Sequence, residues 1–173
     1  MLKEQEIVKV ESPEKKDDEK VRKMLLILSK ATLDNVYAGF ILANGARMEG
    51  IEAEIFFTFF GLEAINKKKM EKLHVATVGN PAMHIPTMVG GLPGMEALAT
   101  KMMKSEMEKL DIPGVSEFLE MLSASGVKLW ACKLAMEMFH LDKEDLYEDI
   151  DGVLTVGDFY ERAEGKGTQL LFI

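Results

Sequence analysis

The only cysteine of the chain, Cys132, stands where two residue patterns meet. Ahead of it, behind Gly126, Val127, Leu129 and Ala131 alternate with Lys128 and Trp130, which is the two-residue period of a strand. After it, Leu134, Ala135, Met138 and Phe139 fall at helical spacing. A strand that turns into a helix at a cysteine places the thiol at the carboxyl edge of a sheet, where open α/β sheets bind ligands. The unpaired N–H groups at a helix start favour a thiolate, the nucleophilic form. The plainer reading of the same residue is a small buried hydrophobe, the usual role of a free cysteine.

Other residues with chemical capacity converge less. His74, His84 and His140 make no paired spacing and read as solvated or structural. Thirteen methionines invite soft-metal binding. However, Met95, Leu98, Met102, Met103, Met107 and Leu110 recur at helical spacing, which marks core or an adaptable interface. Copper would need convergent sulfur and imidazole ligands. Lys67, Lys68 and Lys69 read as solvated surface. Gly90-Gly91-Leu92-Pro93-Gly94 precedes a helix and offers N–H groups to an anion. It lacks both the Lys-Ser/Thr of a P-loop and a complete Gly-x-Gly-x-x-Gly. No motif calls for a metal or a cofactor.

The elements that must position Cys132 follow from periodicity. Met1 to Lys20 carries mixed charge and few apolar anchors, so it reads as a charged flexible tail before a domain spanning residues 21–173. Met24 to Ser29 is a continuous apolar run, as in a central parallel strand. Thr32 or Asp34 caps a helix carrying Val36, Phe40, Ala43 and Arg47 along one side, stopped by Gly50. Ala53 to Phe60 gives a second, aromatic strand, and the short links imply a right-handed parallel crossover. From His74 to Gly94 the pattern weakens into a long Pro/Gly loop, with Val75, Thr77 and Val78 as a strand fragment. Met95 to Leu110 is helical. Ser116 caps a helix burying Phe118, Leu119 and Leu122, which feeds the Cys132 strand. Asp142 to Asp145 resembles a capping arrangement for another short helix. Val153 to Val156, Gly157 to Ala163 and Gln169 to Ile173 complete a strand–helix–strand ending. The alternation predicts a three-layer α/β/α sandwich of about five mostly parallel strands, with strand order unreadable.

Composition narrows the function classes. The 173 residues suffice for one core, and the net charge of −8 argues against nucleic acid and against anionic membranes. A single cysteine excludes an intrachain disulfide and points to a reducing, cytoplasmic setting. No opening secretory signal and no apolar run of membrane-spanning length is present.

Four separated motifs, in order, resemble the DsrE/DsrF-like sulfur-relay family over about residues 21–173. They are Phe56-Phe57-Thr58-Phe59-Phe60-Gly61-Leu62; Leu92-Pro93-Gly94-Met95; Gly126-Val127 through Ala131-Cys132 with Met136; and Leu171-Phe172-Ile173. The resemblance is to the stand-alone branch often labelled "peroxiredoxin family". It implies a DsrE/F-like α/β/α domain, a homo- or hetero-oligomer, and sulfur carried as a persulfide or thiosulfonate on Cys132, the one residue matching the family's carrier cysteine. TusA-like and rhodanese-like carriers are the implied partners. Where relatives often read Cys-x-Met-Ser-Met-Asp, this chain has Leu134, Ala135 and Glu137, keeping Met136. A peroxidatic Pro-x-x-x-Thr-x-x-Cys is absent, since Ser125 and Leu129 occupy those places, so peroxidase activity is not expected.

On this reading Cys132 exchanges sulfane sulfur with partner thiols as a possible sulfurtransferase, more a stoichiometric carrier than a multiple-turnover enzyme. Lys133 and Met136, with Gly90, Gly91, Pro93 and Gly94 of the same or a neighbouring subunit's Gly79–Gly94 loop, are expected to wall the site. Two alternatives stay open: a small-anion or nucleotide-binding α/β module, and an oligomeric interaction protein with a structural Cys132.

Overall fold

A computed structural model describes residues 20–78 and 86–173. Five strands form one parallel sheet: β1 (Lys23–Leu28), β2 (Glu52–Phe57), β3 (Lys128–Cys132), β4 (Gly152–Leu154) and β5 (Thr168–Phe172). Their order is β4-β3-β2-β1-β5, so the chain steps outward from β1 to β4 and returns to β1's other side. The helices are α1 (Leu33–Met48), α2 (Thr87–Gly90), α3 (Met95–Lys109), α4 (Val115–Ala124), α5 (Lys133–Met138) and α6 (Val156–Ala163). The tail at 1–20 lies almost wholly outside the described residues, as do Gly79 and His84.

Two aromatic pairs show how the layers lie. Phe40 of α1 meets Phe57 edge-on at 6.4 Å, and Phe159 of α6 meets Phe56 at 4.8 Å. Consecutive strand residues point to opposite faces. Helix α1 therefore covers one face of the sheet and α6 the other, giving the three-layer sandwich the sequence predicts. The α1 face is the fuller one: Leu26, Leu28, Val36, Phe40, Phe57 and Leu119 are all buried there or against it. Tyr37, Phe40 and Phe118 pack as tilted and edge-on rings between α1 and α4.

The α6 face holds a buried charge. Glu54, in the middle of the sheet, has only 5% of its surface exposed. It receives the Lys23 ammonium at 2.7 Å, the Trp130 indole N–H at 2.7 Å and both arms of the Arg162 guanidinium. Arg162 also lies over the Trp130 ring, 4.1 Å from its centroid. One carboxylate thus ties together β1, β2, β3 and α6. Burial pushes the Glu54 carboxyl up, but the hydrogen bonds from Arg162 and Lys23, the Lys23 charge and the Trp130 N–H outweigh it and hold the group below the usual carboxylate range.

Three segments differ from the sequence expectation. The second strand ends at Phe57, not Phe60; Phe59–Ile65 is a 3₁₀-helix that crosses the end of β1. Thr58 donates its N–H to the Leu28 carbonyl and Gly61 donates to that of Ser29, which closes the strand. A side chain at position 61 would have its Cβ 2.0 Å from the Leu28 carbonyl oxygen, so only glycine fits. The segment from Val75 to Thr77 makes no strand, although it is pinned: Val75 donates its N–H to Thr100, and Thr77 donates its hydroxyl to the Gly90 carbonyl. Finally, the apolar stripe of α3 is largely uncovered. Only Ala99 and Thr100 are buried, Met103 and Met107 pack partly on the core, and Leu98, Met102 and Leu110 are exposed.

Two stability outcomes follow. Gly61→Ala should cost at least about 3 kcal/mol in chemical denaturation, because backbone must move to relieve the overlap. Glu54→Gln should cost on the order of 3 kcal/mol near neutral pH, since two cations keep their partly buried places without a counter-charge. A carboxyl held low in the folded state contributes fully above its unfolded value, and loses that contribution as pH falls through the folded one. The difference between wild type and Glu54→Gln should therefore be largest near neutrality and shrink in acid, measured as unfolding free energy against pH.

Candidate functional site

The register of β3 on β2 decides which way Cys132 faces. Trp130 lies opposite Phe56, and Ala131 opposite Phe57. Cys132, two residues beyond Trp130, therefore shares the α6 face with Trp130 and Phe56. It ends β3 and is also the residue immediately before α5, with extended backbone and no side-chain cap. The strand-to-helix junction at the carboxyl edge is where the sequence puts it.

The thiol is 4% exposed, yet it is not sealed. It lines a cavity of about 340 Å³ together with Phe56, Thr58, Phe59, Leu134, Ala135, Glu137, Met138 and Val156. The rim reaches the surface: Phe59 is 53% exposed and Leu134 64%, with Met138 and Val156 each about half exposed. The wall is almost entirely hydrocarbon, its polar side chains being Thr58 and Glu137. The volume falls within the range of small-ligand pockets.

Each side of this cavity has a local cause. Phe56 and Thr58 project from the end of β2 on the same face, by strand alternation. Phe59 follows with φ at 45°, the left-handed region that a non-glycine residue rarely occupies. That turn carries Phe59 out over the cavity, while Phe60 packs on Phe139 at 5.5 Å behind α5. Val156 begins α6, whose start is fixed by a capping box: Thr155 accepts the Asp158 N–H, and the Asp158 carboxylate accepts the Thr155 N–H.

The other residues expected at the site lie elsewhere in this chain. Met136 is buried in the core beneath α5. Lys133 is exposed and its ammonium lies 3.9 Å from Glu137, on the outer surface of the helix. Gly90 is buried against Thr77; Gly91, Pro93 and Gly94 are exposed at the turn into α3. None of these six lines the cavity beside Cys132. The residues that do were present in the sequence as Phe56 to Phe59 and as Leu134 and Ala135. Their common direction depends on strand pairing, which spacing alone does not reveal. A larger cavity of about 480 Å³ lies at the end of β1, lined by Lys30, Lys69, Lys72, His74 and Glu96 among others, and does not include the thiol.

Among the described residues no group of three His, Cys, Asp or Glu side chains could hold a metal ion, and no helix is long and apolar enough to cross a membrane. With the geometry in place, comparison with known proteins is informative. The chain is 35% identical over 162 residues to the sulfur carrier protein DsrE2 of Allochromatium vinosum, covering 88% of this chain and 98% of that protein. It is 30% identical over 138 residues to the uncharacterized protein YrkE of Bacillus subtilis, covering 77% and 86% respectively. Among solved structures, ychN of E. coli superposes with a TM-score of 0.54 at 13% identity, covering 88% of this chain and 100% of that one. MTH1491 of Methanobacterium thermoautotrophicum gives 0.53 at 12%, covering 87% and 98%. The structural likenesses establish a shared fold. A match to the profile of the DsrE/DsrF/DrsH-like family extends over residues 20–171, and the chain belongs to that family.

Proposed function

We propose that this protein is a cytoplasmic sulfur carrier that holds sulfane sulfur on Cys132 and exchanges it with the thiols of partner proteins. The observation that carries the reading is the single cysteine at the carboxyl edge, opening into a cavity, in a chain that resembles a protein named as a sulfur carrier.

The exchange needs no external oxidant. The Cys132 thiolate attacks the outer sulfur of a donor persulfide; the donor's S–S bond breaks as the new one forms, and the donor leaves as a thiolate. An acceptor thiolate then attacks the sulfur carried on Cys132, and Cys132 is released as a thiolate. Each step exchanges one S–S bond for another. With no second cysteine in the chain, the carried sulfur has no internal thiol to attack it. It waits for a partner, which suits a stoichiometric carrier. The exposed rim formed by Phe59, Leu134 and Met138 is the surface on which a TusA-like or rhodanese-like partner would seat its own sulfur-bearing residue. Self-association, as in other members of the family, belongs to the same proposal.

Incubating the protein with polysulfide or tetrathionate and then measuring its intact mass tests this directly. The wild type should gain sulfur-containing mass that a reducing thiol removes, and Cys132→Ser should gain none. Equal labelling of the two proteins would contradict the assignment.

A further inference from the structure

The chemistry of the cavity wall narrows which form of sulfur Cys132 can hold, an inference that rests on the sulfur-carrier reading. The two stable forms of carried sulfane sulfur differ in charge. A hydropersulfide, Cys–S–SH, takes up a proton and becomes neutral. A thiosulfonate, Cys–S–S–SO₃⁻, keeps its negative charge at any pH near neutrality. In an apolar setting an anion must be met by hydrogen-bond donors or a cation, and without them its burial is costly.

Around Cys132 those partners are missing. The cavity is walled mainly by Phe56, Phe59, Leu134, Met138 and Val156, and Thr58 offers the single side-chain hydroxyl. The one charged side chain in the wall is Glu137, whose carboxylate repels an anion. The nearest cation along α5, Lys133, is turned to the surface and lies 3.9 Å from that same carboxylate. The space itself is generous: about 340 Å³ holds a sulfur atom and the end of the side chain that delivers it. The cavity is thus shaped to admit an apolar, neutral sulfur chain and to exclude a sulfonate.

We infer that the protein is a carrier of hydropersulfide sulfur that discriminates against thiosulfonates, with the apolar cavity and Glu137 as the basis of selection. Loading is then Cys–S⁻ + R–S–SH → Cys–S–SH + R–S⁻, in which the donor's S–S bond breaks and no redox partner is consumed. The disfavoured reaction is attack on an inner sulfur of tetrathionate, which would release thiosulfate and leave a thiosulfonate on Cys132.

The experiment loads the full-length protein with the hydropersulfide of a small thiol or with tetrathionate at equal concentration. Molar salt is added to screen long-range charge, and both adducts are followed by intact mass. The wild type should gain one sulfur at least about tenfold faster than it gains two sulfurs and three oxygens, since only the latter places a fixed charge against a hydrocarbon wall. Glu137→Lys, which reverses the charge at the exposed rim, should close most of that gap. Comparable rates in the wild type, a faster and lasting thiosulfonate adduct, or a gap unchanged in Glu137→Lys would overturn the selectivity while leaving sulfur carriage intact. If neither reagent labels Cys132, the carrier reading itself fails, and this inference with it.

Discussion

The in-register pairing of β3 on β2 is the constraint on which the site depends. Because side chains alternate along a strand, a slip of one residue would send Cys132 to the α1 face, among the buried rings of the main core. Trp130 and Glu54 make the observed register visible: the indole on β3 donates to the carboxylate on β2, and Arg162 of α6 joins both. A buried charge is poor evidence for stability alone. Here it has a positional consequence, since it fixes the strand that ends in the thiol and the helix whose first residue closes the cavity.

A second constraint acts from the neighbouring strand. Gly61 lies so close to the Leu28 carbonyl that the chain must leave β2 after Phe57 and cross the end of β1. The crossing turns Phe59 outward through a left-handed backbone conformation and leaves it over the sulfur. Strain of this kind persists only where surrounding contacts enforce it, and it gathers at sites that act on ligands. The hydrogen bonds of Thr58 and Gly61 to the end of β1 supply that enforcement. The hydrocarbon wall beside Cys132 is therefore a product of how two strand ends are closed.

Much of this was legible in the sequence. Five strands, the alternation with helices and the position of Cys132 at a strand-to-helix junction all follow from period and from Gly and Pro punctuation. So does the capping arrangement at Asp142, which the structure shows as a complete capping box. Strand order was not legible, because adjacency in a parallel sheet leaves no mark on spacing. For the same reason the wall of the cavity was sought in the Gly90–Gly94 turn rather than in Phe56, Thr58 and Phe59. The aromatic run misled in another way. Phe59 and Phe60 have strand propensity, and tertiary contact at Gly61 overrides it. The α3 stripe reads as core by period alone, whereas Leu98 and Met102 are exposed.

What joins fold to function is a sulfur atom almost wholly covered by its own chain and still open on one side through an apolar recess. The reaction of the folded protein with iodoacetamide tests that claim most directly. Cys132 should be alkylated under native conditions, faster than the protein unfolds, and a bulkier substituent at the rim, Met138→Trp, should slow the reaction. Modification only at the rate of global unfolding, unaffected by the rim, would mean that the thiol is sealed in the core and carries nothing.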